Sequence, residues 1–416
     1  MAELFEINEE QERVVLVAAA VNDEASAQAS LDELEELVKT AGAVTIGRFV
    51  QNRQMIDTAT YIGSGKVAEL RDMLITMQAT GIVCDDELTL SQMNNLEREL
   101  NTKIMDRTMV ILDIFASRAL TREGKIQVEL AQLRYRSTHL IGLGSILSRQ
   151  GGGIGTRGPG EKQLEMDRRL IRERISKLKA ELEHVKSSRR TQRKKRMENG
   201  KPVVCIVGYT NAGQSTLLNK LTASDVLSED KLFATLDPTT RNLKLPDGQQ
   251  ILITDTVGFI RKLPHHLIQA FRSTLEEARY ADYILHVVDA SNPQMDIQMH
   301  TVYETLRELG VEGKPLITAF NKVDKDNVPE ILKDFKADET YRISAHTGEG
   351  LSEMLLGIGR RIRESRVYVE HLFPYSEASS VAGIRERGEI LEEEYREDGI
   401  WIRAFVEKRD INQRLI

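Results

Sequence analysis

The chain has little that would suit it to an oxidising or membrane setting. Two cysteines in 416 residues exclude a disulfide scaffold. Cys84 and Cys205 lie inside apolar stretches that read as strands, so buried free thiols in a reducing cytoplasm are expected. The longest apolar run, Val14 to Val21, falls far short of the ~20 residues that span a bilayer. The N-terminus, MAELFEINEE, lacks the basic start of a secretory signal. What is present, 41% hydrophobic and 29% charged residues, excludes a largely disordered or collagen-like chain. Its length suits two to four domains, at roughly 150 residues each.

The net charge of −7 would by itself argue against a polyanionic partner. Its distribution reverses that reading. Between Arg118 and Lys201 there are 22 Lys/Arg against 9 Asp/Glu, a net of +13, which leaves −20 on the remainder. Such asymmetry points to one region facing nucleic acid, although solvated helix faces give the same count.

Residues 1–115 alternate strand and helix patterns and are expected to form an N-terminal α/β domain. Strands fall at Val14–Val21, Ala43–Phe49 and Gly81–Asp85, and helices at Ala25–Thr40, Val67–Ala79 and Ser91–Leu100. Gly63-Ser64-Gly65-Lys66 precedes a helix and invites comparison with a phosphate loop, but a loop closing onto a helix accounts for it more simply.

Residues 116–200 change period. Ile126, Leu130, Leu133 and Leu140, then Ile171, Ile175, Leu178, Leu182 and Val185, form two heptad seams and predict a long antiparallel helical hairpin. Its glycine-rich tip is expected over Gly142–Gly160. There Arg149, Gly151, Gly152, Gly153, Arg157 and Lys162 suit close backbone approach to RNA phosphates and splayed bases. A surface loop without a partner is the alternative. Further basic residues, Lys186, Arg189, Arg190, Arg193, Lys194, Lys195 and Arg196, would bind phosphates with strong salt dependence, a localisation signal and a solvated linker being the alternatives.

From Pro202 a buried strand leads into Gly208-Tyr209-Thr210-Asn211-Ala212-Gly213-Gln214-Ser215-Thr216 and then a helix. This is the G-x-x-x-x-G-K-[ST] phosphate cradle with glutamine in the lysine position. Glycines turn backbone amides toward phosphates, the helix N-terminus adds partial positive charge, and Ser215 is placed to offer its hydroxyl to Mg²⁺. Asp255-Thr256-Val257-Gly258 follows a strand; Asp255 would hold the metal through water, and the Gly258 amide would sense a γ-phosphate. Asn321-Lys322-Val323-Asp324 follows another, and Asp324 can accept from N1 and N2 of guanine together, which adenine cannot offer. Ser344-Ala345-His346 then supplies an amide, that of Ala345, for the base O6. Phe233-Ala234-Thr235-Leu236-Asp237-Pro238-Thr239-Thr240-Arg241 reads as a switch loop; Thr235 is the expected second metal ligand, with Thr239 and Thr240 competing on spacing. Gln214, Thr235 and Gly258 are the expected catalytic set. The G domain is placed at 201–365. A small acidic α+β domain follows at 366–416, with a strand at Val367–Val369, a helix at Tyr375–Gly383 and a hairpin of Ile390–Tyr395 with Ile400–Val406.

Together Gly208–Thr216, Phe233–Arg241, Asp255–Phe259 and Asn321–Asp324 resemble the HflX family of translational GTPases, as do Gly151–Asp167 and Asp106–Ala116. The resemblance implies an α/β chain with a P-loop GTPase domain, binding GTP with Mg²⁺ and engaging the large ribosomal subunit. It also implies, for several members, splitting of stalled or idle ribosomes with the hairpin tip near the peptidyl transferase centre and its ribosomal RNA. Some members are linked to antibiotic resistance and stress response. Phe259 occupies the place where many GTPases orient water with a glutamine, so intrinsic hydrolysis is expected to be slow until the ribosome completes the site. Gln214 departs from the family pattern. It is either an introduced substitution or the mark of a lineage that lost turnover, and it is expected to weaken GTP binding and hydrolysis. A nucleotide-insensitive RNA- or ribosome-binding protein and a regulatory GTPase acting on proteins are the competing readings. A monomer is expected.

Overall fold

The computed structural model describes residues 11–21, 23–150, 159–198, 201–222, 232–233, 236–264, 277–311 and 313–407. It falls into two compact units. The first comprises Met1–Leu182 with Lys231–Phe233 and Lys262–Phe271; the second comprises Glu183–Asp230, Ala234–Arg261 and Arg272–Ile416.

The first unit is built on a parallel sheet of order β2-β1-β3-β4, from β1 (Arg13–Val21), β2 (Val44–Arg53), β3 (Gly81–Cys84) and β4 (Lys103–Asp106). Between its ends β1 is buried throughout, as a central parallel strand covered on both faces must be, and hence reads as an unbroken apolar run. Helices α1 (Glu24–Thr40), α2 (Ser64–Met77) and α3 (Leu90–Leu100) alternate with the strands as expected. α1 starts where the Asp23 carboxylate accepts from the Ser26 amide at 3.0 Å, and α3 starts with a Thr89–Gln92 capping box.

Sequence reading did not identify β4 or α4 (Arg107–Arg118). α4 buries seven of its twelve residues, Arg107 and Thr108 among them, so its polar pattern carries no clean helical period. Asp106 ends β4 and caps α4, accepting from the Met109 amide at 2.9 Å.

The hairpin is α5 (Arg122–Gln150) and α6 (Pro159–Glu198). Arg122 pairs with Glu181 (Nε–Oε1 3.0 Å) and Glu129 with Arg174 (Oε1–Nε 2.7 Å). Seven residues up one helix correspond to seven down the other, which fixes an antiparallel heptad register. Leu178 is buried in the seam. The expected glycine-rich tip is narrower than Gly142–Gly160. Gly142 and Gly144 lie within α5, where the apolar, helix-favouring residues around them outweigh a glycine cost of about 1 kcal/mol each, and Gly160 falls in the first turn of α6 after Pro159.

In the second unit a six-stranded sheet has the order β10-β9-β8-β5-β7-β6. Its strands are β5 (Val203–Gly208), β6 (Thr239–Lys244), β7 (Gln250–Asp255), β8 (Tyr283–Asp289), β9 (Leu316–Asn321) and β10 (Glu339–Arg342). All pairs are parallel except β6 with β7. Helices α7 (Gln214–Thr222), α8 (Met295–Glu308) and α9 (Leu351–Glu364) belong to this unit. Its core joins Val204, Ile206, Leu217, Leu218, Ile253 and Leu285.

The same unit ends in an antiparallel sheet, β11-β13-β12, of β11 (Arg366–Phe373), β12 (Glu389–Arg396) and β13 (Gly399–Glu407). α10 (Ala378–Arg387) packs Val381 and Ile384 against Phe373, Ile402 and Ala404. The expected helix at Tyr375–Gly383 is therefore a 3₁₀ turn, Tyr375–Glu377, followed by a helix that runs four residues further. Cys84 and Cys205 are free and buried. Among the described residues no helix is long and apolar enough to cross a membrane.

Candidate guanine-nucleotide site

Parallel strands that end together bring their following loops together, and the nucleotide motifs follow β5, β7 and β9. After β5 the chain turns with Asn211 and Gly213 in left-handed conformation (φ 62° and 95°) before α7 begins at Gln214. A side chain at Gly213 would overlap the Asn321 amide, and one at Gly208 would overlap the Val287 carbonyl, so both positions require glycine. The Asn321 side chain ties two loops together: its Nδ2 donates to the Ala212 carbonyl at 2.8 Å, and its Oδ1 accepts from the Ala345 amide at 2.8 Å. Asn321 is 2% exposed, so its work is to brace the pocket wall.

Lys322 spans the pocket from the β9 side. Its Nζ donates to the Asn211 carbonyl at 2.8 Å and to Asp289 at 2.7 Å. Asp289 was not singled out in the sequence; the available signal was a carboxylate closing the apolar strand YILHVVD. Asp324 is exposed, and the Ser344 hydroxyl, chief among several donors, holds its carboxyl below the ordinary value. An ionised acceptor at the pocket mouth suits the N1 and N2 hydrogens of guanine. Ser344 and Ala345 are buried, while Lys220 of α7 reaches the His346 carbonyl at 3.3 Å.

At the phosphate end the Ser215 hydroxyl donates to Asp255 Oδ2 at 2.8 Å, and Asp255 is fully buried. Thr256 is structural, donating through its hydroxyl to the Ile206 carbonyl at 2.8 Å, and Val257 is buried beside it. Gly258 is seated against the cradle: a side chain there would come 2.7 Å from Thr210 Cα and 3.2 Å from Gln214 Oε1. Backbone bonds lace the two loops, Thr210 amide to Phe259 carbonyl at 2.7 Å and Phe259 amide to Gly208 carbonyl at 2.9 Å. The Tyr209 hydroxyl also accepts from the Arg261 amide at 2.9 Å.

Gln214 is 7% exposed, and its Nε2 finds no acceptor among the described residues. A buried amide donor without a partner is costly, and this one sits where the motif carries a phosphate-binding cation.

The expected switch loop is shorter than Phe233–Arg241. Thr239, Thr240 and Arg241 belong to β6, and the Thr240 and Thr254 hydroxyls are hydrogen-bonded across the strands at 3.0 Å. Leu236 is buried, Asp237 is described, and Phe233 groups with the first unit, its ring edge-on to Phe115 at 4.7 Å. Ala234 and Thr235 lie outside the described residues, as do Gly151, Gly152, Gly153 and Arg157. Arg149 falls on α5, and Lys162, Arg189, Arg190, Arg193, Lys194, Lys195 and Arg196 fall on α6.

The chain is similar to known proteins along most of its length. Residues 203–322 match the family described as 50S ribosome-binding GTPase, residues 28–116 the GTP-binding GTPase N-terminal family, and residues 118–196 the GTP-binding GTPase middle region. GTPase HflX of Lacrimispora saccharolytica is 64% identical over 98% of this chain and 96% of its own length. GTPase HflX of Escherichia coli K12 is 42% identical over 80% of this chain and 79% of its own. Among solved structures, a GTP-binding protein from Sulfolobus solfataricus in complex with GDP is 24% identical, with a TM-score of 0.44, over 84% of this chain and 98% of that one. With the nucleotide motifs gathered at the ends of β5, β7 and β9 and relatives matching along nearly the whole length, the chain belongs to the HflX family of GTPases, and its reaction is the hydrolysis of GTP.

Proposed function

We propose that this GTPase binds the large ribosomal subunit in its GTP form, directs the basic hairpin toward ribosomal RNA near the peptidyl transferase centre, and promotes separation of stalled or idle ribosomes. Hydrolysis then drives release. The observation that carries the reading is the Asn321 brace, which ties the phosphate loop to the Ser344–His346 loop and so supports a shared nucleotide site in which Asp324 would select guanine. The match of residues 203–322 to a 50S ribosome-binding family supports the partner, and the +13 segment supports RNA as its contacting surface. The domain division at 115, 200 and 365 belongs to the same proposal.

The Ser215 hydroxyl and the buried Asp255 carboxylate are hard oxygen donors of the kind Mg²⁺ takes, and their adjacency fits that ion. With Thr235 they are proposed to hold it, and the metal supplies charge neutralisation at the phosphates. The chain's own groups do the rest. Amides of the Gly208–Thr216 loop cradle phosphate, Asp324 selects the base, and Gly258 reports the γ-phosphate. Phe259, 2% exposed and apolar, cannot orient water, so a partner must complete the site. Gln214 brings a neutral donor in place of a charge, which impairs both GTP binding and hydrolysis.

Co-sedimentation with large subunits tests the reading. Pelleting with a GTP analogue but not with GDP supports it. Pelleting that ignores nucleotide supports the scaffold alternative favoured by Gln214, and no pelleting defeats the ribosomal reading altogether.

A further inference from the structure

An open parallel sheet receives ligands outside the carboxyl ends of its strands, at the point where strand order reverses. In the first unit that point lies between β1 and β3. Asp85 and Asp86 follow β3 directly there, and the place is filled by a side chain of the chain itself. The Lys262 ammonium pairs with Asp85 and with Asp86, the latter at 2.7 Å. Lys262 stands four residues beyond Gly258 in sequence and groups with this unit.

The crevice is built to take a cation and to survive its departure. Asp85 is 1% exposed, yet apart from Lys262 it accepts from the Ser30 hydroxyl at 3.0 Å and faces Arg107 Nε at 3.8 Å. Asp86 accepts from the Tyr61 hydroxyl at 2.7 Å, and Tyr61 in turn accepts from the Ala19 amide at 3.1 Å. Neither carboxylate is abandoned if Lys262 leaves.

Two of the residues at the crevice, Tyr61 and Lys262, have strained backbones, as does Phe233 elsewhere in the unit. Tyr61, Phe233 and Lys262 are bulky residues in left-handed conformation, at φ 67°, 55° and 53°. Such conformations persist where surroundings over-determine them, and they gather at clamps and switches. Phe233, ahead of the expected switch threonine, is 2% exposed against Phe115 of α4. The unit therefore holds one residue from each of the two segments that a γ-phosphate would reorder. From this unit's interior the contacts continue toward the hairpin base: Asp106, next to Arg107, accepts from the Tyr135 hydroxyl of α5 at 2.9 Å.

We propose that the Asp85–Asp86 crevice is a docking site for the Lys262 ammonium whose occupancy is set by the nucleotide state of the Asp255–Gly258 segment. The crevice makes the first unit and the base of α5 a reader of bound nucleotide. The inference rests on the nucleotide-site reading above and adds to it the residue pair that carries the signal.

Hydrogen–deuterium exchange of the full chain and of its Gln214→Lys form, with GDP and with a GTP analogue, tests it, bound nucleotide being measured separately with fluorescent analogues. Amides of residues 85–89 are expected to exchange at rates differing at least ~3-fold between the two nucleotides. Lys262→Met should erase that difference and change the preference for GTP analogue over GDP by ~5-fold or more. Asp86→Asn, at a half-exposed position, should act in the same direction, and a Lys262→Glu with Asp86→Lys exchange should recover part of the coupling. Equal exchange in both nucleotide states overturns the proposal, as does a difference that survives Lys262→Met. If neither form of the chain binds fluorescent nucleotide, the nucleotide-site reading fails first and the docking inference with it.

Discussion

Asp85, just after β3, and Asp255, at the end of β7, are both buried carboxylates at the carboxyl ends of parallel strands, and they are treated differently. Asp85 is met by protein cations, Lys262 and Arg107. Asp255 is met by the Ser215 hydroxyl, beside a cradle whose cation position holds neutral Gln214. A buried carboxylate must be compensated, and the source of compensation separates the regions. The first is compensated by cations of the polypeptide; the second is the one proposed to receive nucleotide and metal. One expects the Ser30 and Arg107 contacts of the first to contribute to folding whatever is bound and its Lys262 contact to follow the nucleotide, whereas the second is expected to depend on ligand directly.

The largest effect that would sharpen this contrast is at Gln214. Gln214→Lys should supply a charge worth about 3–4 kcal/mol at the transition state, raising GTP hydrolysis ~100- to 1,000-fold. Equal turnover in the two forms, measured by phosphate release, would break the argument. Next comes pH. His286 on β8 is buried, edge-on to Tyr303, and burial pushes it down to about 4. Between roughly pH 6.5 and 4 the unfolded chain binds the proton that the folded one refuses. Stability is thus complete above that window and falls on acidification through it, by about 3 kcal/mol at the low end. Urea unfolding at a series of pH values should show this slope, and His286→Gln should flatten it; an unchanged slope would assign acid sensitivity to the carboxylates instead.

Asn321→Ala removes a brace that satisfies two loop groups and should cost about 2 kcal/mol in stability or a corresponding loss of GDP affinity. Calorimetry with and without GDP distinguishes the two. Arg122→Ala, on the hairpin surface, should leave the thermal midpoint where it is, since exposed ion pairs contribute little. A clear drop there would show that the hairpin register depends on charge rather than on its seam.

These regions were not equally legible in the sequence. The strand-then-loop segments of the proposed nucleotide site were, because each motif stands at the end of an apolar strand: Gly208 ends β5, Asp255 ends β7 and Asn321 ends β9. β6 was not. Its residues from Thr239 to Lys244 are mostly solvent-facing and polar, the pattern of an edge strand that a loop imitates. α4 was hidden by its burial. The Lys262–Asp85 pair was invisible for a different reason: the residues are 177 positions apart, and neither carries a local signal of the other. Site chemistry is written in short motifs, whereas coupling between segments is written only in the fold.

The bridge between Tyr209 and Phe259 has one more consequence, which concerns timing. A buried phenyl ring at Phe259, in place of a water-orienting amide, would leave the molecule only a slow means of its own for ending its active period. On the proposed reading, the lifetime of the loaded state is then set by encounters rather than by an intrinsic clock. Its duration measures how scarce suitable partners are, and a cell with few of them would keep a standing reserve of loaded molecules at little cost in spent nucleotide.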